Sequence, residues 1–241
     1  MRLLAVGLLL MAGCTEPAPR ATPTPAPPSP TTVAPTTAAP TTPPPTTRPP
    51  LTPSPRFGTK KPPPPPSFDY VFPVAGCTAT YGRAHHDYPA TDIFARAGCA
   101  YVSPVTGRVD EVSYRDDWNA TTNRGAQRGG LFVSVVGVDG VRYYGSHLKR
   151  VAPGIRPGVR VEAGTRLGDL GTSGSARGTA PHLHFGISWP TRAGVWWVRR
   201  GEVHPWPYLD SWRAGGNKSP GAEVRGQRYR EGTVPPCPAY C

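Results

Sequence analysis

The sequence has few lysines, few charged residues and no long apolar run. Of its 27 basic residues only four are lysine, and charged residues make up 17% of the 241 positions. The longest apolar run, residues 3–12, has 10 residues, half of the roughly 20 that cross a bilayer. No segment repeats apolar residues with a sustained helical period. These absences exclude a polytopic membrane protein and a coiled coil.

Proline, in contrast, is abundant and unevenly placed. The chain has 34 prolines, and 21 of them lie between residues 16 and 66, among Thr, Ala and Ser. Such a tract has no apolar face to bury, and its prolines lack N–H donors. We therefore predict that residues 15–66 form a disordered linker, with an extended reach of at most roughly 160 Å. The remainder suits one domain, which we place at residues 67–214, followed by an irregular, Gly/Pro-rich tail at 215–241.

The first 14 residues have the pattern of an export signal. A short cationic start, Met1-Arg2, precedes the apolar run and the small residues before Cys14, so residues 1–13 are predicted to be a signal peptide. The segment Leu10-Met11-Ala12-Gly13-Cys14 resembles a bacterial lipobox, although Met11 replaces the usual Leu. That resemblance implies lipidation of the Cys14 thiol and anchoring to the membrane. A plain secretory signal with an incidental cysteine remains the alternative.

The other cysteines indicate disulfides. Without Cys14, an even number remains, namely Cys77, Cys99, Cys237 and Cys241. An exported domain with four cysteines favours two bridges, for which three pairings exist. The local pairing, Cys77–Cys99 with Cys237–Cys241, is the simplest, and its first bridge would brace a segment that carries two histidines. No CxxC pair is present, which disfavours a thiolate metal site.

Short β-like runs separated by Gly and Pro predict a mainly β domain. Asp139-Gly140 lies between the apolar runs 131–138 and 141–146, a strong hairpin pattern. A second pair, 159–161 and 165–167, flanks residues 162–164. Further strands are predicted at 91–95, 107–112 and 183–189. The fold class is therefore an antiparallel, β-sandwich-like architecture with long loops.

Histidines form the clearest functional pattern. His182 and His184 are two residues apart on a predicted strand, so both imidazoles should point to one face. A second cluster combines His85 and His86 with Asp92. Two imidazoles and one carboxylate form a catalytic zinc set that leaves the fourth position open for water.

Two histidines lie outside these pairs. His147 follows a predicted strand and has no close companion of the metal-ligating type. Such an imidazole near a zinc site suits a general base or a group that stabilises an oxyanion. His204 lacks any partner motif and is predicted to be structural, as are most of the tryptophans near it.

Over residues 72–209, the order of these motifs resembles the lysostaphin/LytM-type zinc endopeptidases of bacterial cell walls. The most specific block is residues 171–185, a Gly-rich loop that leads into His-Leu-His-Phe. Other blocks match in order: residues 89–95, 102–109 (VSPVTGRV), 144–148 and 154–168, the last resembling a hairpin of the family.

The resemblance assigns five residues: His86, Asp92 and His184 as ligands of one Zn²⁺, and His147 and His182 as the catalytic pair. Two departures stand out. The family usually spaces its first His and its Asp four apart, whereas His86 is six before Asp92. Even spacing on a regular strand favours His86, and His85 remains the alternative. Gly186 stands where the family commonly has Glu.

The resemblance implies a zinc-dependent endopeptidase that hydrolyses peptide cross-links or stem peptides of peptidoglycan. We expect a monomeric, extracytoplasmic lipoprotein held at the cell membrane and facing the wall. The alternatives are a non-catalytic relative that binds the wall or activates another hydrolase, and a zinc hydrolase with a different substrate. A regulatory protein partner is left open. The net charge of +12 comes from scattered arginines without a basic-aromatic motif, so no nucleic-acid partner is expected.

Overall fold

The structure is a computed structural model that describes residues 67–237. The predicted signal peptide, Cys14, the linker and Cys241 lie outside the described residues. The described part is mainly β and contains three α-helices and two short 3₁₀-helices, Gly125–Gln127 and Gly174–Ala176. The strands are β1 Val74–Ala75, β2 Thr80–Tyr81, β3 Thr91–Phe94, β4 Ala100–Val102, β5 Gly107–Ser113, β6 Phe132–Gly137, β7 Arg142–Ser146, β8 Leu148–Val151, β9 Arg160–Val161, β10 Arg166–Leu170 and β11 His182–Ser188.

These strands form two antiparallel sheets, which confirms the predicted fold class. One sheet has the order β1-β4-β10-β8, and the other has the order β2-β3-β11-β7-β6-β5-β9. Strand β11 carries the paired histidines and lies between β3 and β7. Because it has a neighbour on each side, its backbone position is fixed by two hydrogen-bond ladders.

The hairpin around Asp139-Gly140 is confirmed, whereas the second predicted hairpin is wrong. Strands β6 and β7 pair antiparallel, and Gly140 adopts a φ of 76° in their turn. Strand β9 instead pairs with β5, while β10 pairs with β4 and β8 in the other sheet. The turn at residues 162–164 therefore links the two sheets. Long-range packing decides which sheet each strand joins, and the residues of the turn do not predict it.

The core is shared by both sheets. Tyr101 of the smaller sheet and Tyr143, Leu183 and Phe185 of the larger sheet are fully buried. Along β11, Leu183 and Phe185 alternate with the histidines, so one face of the strand anchors it in the core. This packing leaves the other face of β11 to carry the imidazoles.

Helices dominate the C-terminal part, and the prediction of an irregular tail is wrong. The helices are α1 Trp196–Arg199, α2 Trp206–Arg213 and α3 Gly221–Glu231. Trp212 stacks on Tyr70 with ring centroids 5.1 Å apart, and Val224 of α3 joins the core. Helix α3 is otherwise polar, so apolar periodicity could not reveal it. No helix between residues 67 and 237 is long and apolar enough to cross a membrane.

Candidate metal centre

The centre is built on β11 and on the two strands beside it. His184 is in register with Asp92 of β3 on one side and with Ser146 of β7 on the other. His184 Nδ1 donates to Asp92 Oδ1 at 3.0 Å. His182, one step along the same face, places Nε2 3.9 Å from the same oxygen. The two predicted imidazoles and the predicted carboxylate are therefore brought together.

Asp92 is the single acid in direct contact with this imidazole cluster among the described residues. Burial alone would raise its pKa, but the His184 hydrogen bond and the surrounding histidines outweigh burial. The net result is a pKa well below its usual range, so Asp92 is ionised at neutral pH. An ionised carboxylate among imidazoles is a donor set that suits zinc.

The first histidine cluster lies in a loop. Residues 82–90, between β2 and β3, form no strand, so the argument from even spacing does not apply. His85 is the more enclosed residue: its Nε2 lies 3.8 Å from Asp92 Oδ1, and its ring centroid lies 4.8 Å from that of His184. His86 is exposed, yet ligand atoms of His85, His86 and Asp92 all lie within 4.8 Å of one another. The choice between the two histidines stays a prediction.

Burial keeps His85 neutral. Desolvation is the main cause that lowers its pKa to about 4, and the neighbouring His184 lowers it further. Its Nδ1 is buried without a hydrogen-bond partner. Buried polar atoms normally have a hydrogen-bond partner, so the unpaired Nδ1 of His85 is an exception to that pattern.

His147 lies at the junction of β7 and β8 in a left-handed backbone conformation, with a φ of 63°. This conformation is uncommon for a residue other than glycine, and such strain is typical of functional sites. Its backbone N–H donates to Gly129 O at 3.0 Å, which helps to hold the strained conformation. Its ring centroid lies 5.0 Å from that of His182.

Both predicted catalytic histidines have the same tautomer. His147 Nδ1 donates to Ser173 O, and His182 Nδ1 donates to Ala180 O, each at 2.8 Å. Each Nε2 therefore keeps its lone pair. Burial, followed by electrostatic repulsion from His184 and His182, lowers the pKa of His147 to about 3. The two backbone carbonyls thus fix the orientation of both rings, with Nε2 directed away from the contact.

These side chains line an open cleft of about 820 Å³. Sequence reasoning missed four of its aromatic and basic residues, Tyr88, Trp118, Tyr144 and Arg200. The Tyr88 hydroxyl lies 3.2 Å from His184 Nε2, within hydrogen-bond distance. Tyr88 falls in the longer His–Asp spacing, which was the one sequence feature that marked this segment as unusual.

The Gly-rich loop after β10 also reaches the cleft, through Ser175, Ala176 and Thr179. Gly174 has a φ of 66°, and a Cβ there would lie 2.1 Å from Arg128 O. This glycine is therefore needed for close packing of two loops. His204 lies outside the cluster: it is exposed and stacks on Trp206 with centroids 4.2 Å apart.

The cysteines behave as expected for an exported domain. Cys77 and Cys99 form a disulfide, which confirms the first predicted bridge. Cys237 is disulfide-bonded too, and its predicted partner, Cys241, lies outside the described residues.

A mainly β domain with clustered imidazoles and one carboxylate defines a candidate metallohydrolase, and known proteins contain a similar domain. Residues 86–195 match peptidase family M23, and they form a peptidase M23 domain. This confirms the resemblance inferred from the motifs.

One curated relative and several solved structures are similar to the chain. The L-Ala–D-Glu endopeptidase of Bacillus subtilis strain 168 is 32% identical over 136 residues, which cover 54% of this chain and 36% of the relative. The chain thus spans about a third of that protein. The catalytic domain of Staphylococcus simulans lysostaphin is 23% identical, with a TM-score of 0.43 over 55% of this chain and 93% of that one. A putative glycyl-glycine endopeptidase, lytM, from Ruminococcus gnavus ATCC 29149 is 22% identical, with a TM-score of 0.47 over 63% of each chain.

Proposed function

We propose that the protein is a zinc-dependent endopeptidase that hydrolyses peptide bonds of bacterial peptidoglycan. The observation that carries the proposal is the meeting of five groups in one cleft of an M23 domain: His85, Asp92, His147, His182 and His184. The name of the Bacillus subtilis relative describes cleavage between L-Ala and D-Glu. That relative supports a peptide substrate of the same general kind for this chain.

The residues present fit a zinc ion. Asp92 and His184 supply one oxygen and one nitrogen donor, and either His85 or His86 supplies the third ligand. The buried, unpaired Nδ1 of His85 and the closeness of the ligand atoms in this loop support the fit. When bound, zinc supplies Lewis acidity, which makes water a better nucleophile at neutral pH and polarises a peptide carbonyl.

His147 and His182 are proposed to handle protons and charge during hydrolysis. Each has an Nε2 lone pair, because Nδ1 is committed to a backbone carbonyl. One imidazole accepts the proton of the attacking water and returns it to the leaving amine. The other takes a proton from solvent at Nε2 and, as an imidazolium, donates a hydrogen bond to the oxyanion of the tetrahedral intermediate. The fixed backbone contacts hold both rings in place before substrate binds.

The proposal includes a location. Export by residues 1–13, lipidation of Cys14 and a linker over residues 15–66 would hold the domain at the membrane and let it reach the wall. Processing of the full chain in cells, followed by mass measurement of its mature N-terminus, tests this part: an N-terminal Cys14 without acyl chains would refute lipid anchoring.

Digestion of purified peptidoglycan tests the activity. Wild-type protein loaded with one equivalent of zinc should release new peptide amino termini, whereas His184→Ala should release none and bind less zinc. His204→Ala is the matched control, because His204 is exposed and outside the cluster. Zinc-loaded wild type that binds peptidoglycan but releases no termini would support a non-catalytic wall-binding relative instead.

The first ligand is decided by comparing His85→Ala with His86→Ala in a zinc-binding titration. We expect one variant to lose at least tenfold in affinity and the other to stay near wild type. Because His85 is enclosed against His184 and His86 is exposed, the geometry favours the larger loss for His85→Ala. A larger loss of zinc affinity in His86→Ala would instead support His86 as the first ligand, as the even spacing in the sequence predicts.

A further inference from the structure

Arg200 is an arginine of the cleft wall whose guanidinium is held between two aromatic rings. Its Cζ lies 4.6 Å from the Tyr88 ring centroid and 4.4 Å from the Trp196 ring centroid. Contact with both rings restricts the plane and position of the guanidinium. The side chain lines the same cleft as the histidines.

Arg200 has no acid partner among residues 67–237. Its Nε is buried without a hydrogen bond, and neither Nη atom forms a hydrogen bond or ion pair with the described residues. The two Nη groups are therefore available to bind a ligand. Arg177, in the same region, differs because it pairs with Asp116 at 2.6 Å. Arg200 thus presents to the cleft a positioned cation whose charge is not neutralised within the described protein.

The cation is coupled to the metal centre by short contacts. The carbonyl oxygen of Arg200 lies 3.3 Å from His184 Nε2, and the hydroxyl of Tyr88, whose ring contacts the Arg200 guanidinium, lies 3.2 Å from the same nitrogen. Gly186 makes this approach possible, since a Cβ at that position would lie 1.8 Å from Arg200 O. A ligand on the guanidinium would consequently lie beside the reacting part of a bound peptide.

A planar guanidinium with two free terminal N–H groups matches a carboxylate in a bidentate, charge-assisted pair. We propose that Arg200 is a specificity-determining residue that binds a carboxylate of the peptide substrate next to the histidine cluster. The substrate class is therefore an acidic peptide rather than an uncharged one such as a glycine bridge. This inference rests on the proposed function.

The test compares two forms of one substrate. Purified peptidoglycan is left untreated, or its free carboxylates are converted to primary amides with ammonia and a carbodiimide. Initial rates of amino-terminus release are measured for zinc-loaded wild type, Arg200→Met, Arg200→Lys and the control Arg192→Met at about 0.15 M salt, where surface charges are screened. Arg192 is exposed and does not line the cleft, so it controls for the loss of one positive charge.

Wild type and Arg192→Met should prefer the untreated substrate by about 10- to 100-fold, the range expected for a charge-assisted contact. Arg200→Met should lose that preference through a higher KM on the untreated form. Arg200→Lys should keep only part of it, because lysine lacks the planar fork. Equal wild-type rates on the two substrates, or a preference that survives in Arg200→Met, would overturn the proposal.

Co-sedimentation with the same two preparations separates this inference from the proposed function. If zinc-loaded wild type cleaves neither form, the enzymatic function fails while the binding comparison still decides the role of Arg200. Retention on untreated peptidoglycan that falls at least tenfold on amidated material, and falls equally in Arg200→Met, supports the carboxylate site. Equal retention on both materials overturns it.

Discussion

The disulfide between Cys77 and Cys99 closes the loop that carries the first part of the metal centre. The two cysteines are 22 residues apart, and Asp92 and both candidate first ligands lie between them. In the chain-entropy relation, a closed loop of this length restricts the unfolded state by about 3 kcal/mol at 25 °C. For a domain of this size each kcal/mol corresponds to about 2–4 °C in melting temperature. We therefore expect Cys77→Ala/Cys99→Ala to melt about 6–12 °C below wild type.

The same change should weaken zinc binding. Inside the disulfide loop, β2 is two residues long and β3 is four, so few ladder bonds hold residues 82–90 in place. Without the bridge this loop samples more conformations, and zinc binding must then order them. A loss of several-fold in zinc affinity is expected beyond the loss of stability.

The assay is thermal unfolding followed by circular dichroism, with and without zinc, in buffer free of reductant. Reductant should lower the melting temperature of wild type by a similar amount, but it should shift the double variant only through the bridge of Cys237. A double variant that melts within 2 °C of wild type would refute the loop-entropy argument. Unchanged zinc affinity in a clearly destabilised variant would refute the bracing argument alone.

Two further predictions concern buried charge. Arg142 is fully buried and donates to Asp110 at 2.7 Å, and Asp110 also pairs with Arg199 at 2.6 Å. Arg142→Met should therefore cost about 1–3 kcal/mol in urea unfolding, because the carboxylate keeps Arg199 while the carbonyl oxygen of Arg199 loses its side-chain donor. Arg160→Met, which breaks an exposed pair, should leave the urea midpoint close to that of wild type, and equal losses in the two variants would contradict this reasoning. Burial, followed by the negative charge of Glu231, raises the pKa of Glu202 to about 7. Between about pH 4.5 and pH 7 the folded protein therefore keeps a proton on Glu202 that the unfolded chain releases. The free energy of unfolding consequently falls as pH rises through this range. Thermal unfolding across pH 4–8 tests this: the free energy of unfolding should fall by about 1 kcal/mol less in Glu202→Gln than in wild type, after allowance for solvent screening.

Much of the centre could be predicted because its signals are local. The period-two arrangement of His182 and His184 requires only that residues 182–188 form a strand, and the structure has that strand. The hairpin at Asp139-Gly140 and the local disulfide are likewise set by nearby residues. These features depend on backbone periodicity and short loop closure, both of which can be read from one sequence.

The features that could not be predicted depend on distant contacts. Tyr88 and Arg200 are separated by more than a hundred residues, yet they form one wall of the cleft. Helix α3 buries only Gly221 and Val224, so its place is set by packing rather than by an apolar stripe. Strand β9 joins a different sheet from β10 for the same reason. Long-range pairing of this kind leaves no periodic trace in the sequence.

The two departures from the family pattern meet at one place in the structure. The longer spacing before Asp92 introduces Tyr88, whose ring contacts the Arg200 guanidinium and whose hydroxyl contacts His184. The replacement of the usual Glu by Gly186 removes a side chain that would clash with the Arg200 backbone. Together they give the Arg200 side chain an aromatic contact and let its backbone approach β11, beside His184. Gly186→Ala should therefore impair the carboxylate preference in the same direction as Arg200→Met, since its Cβ would push the Arg200 backbone away from β11.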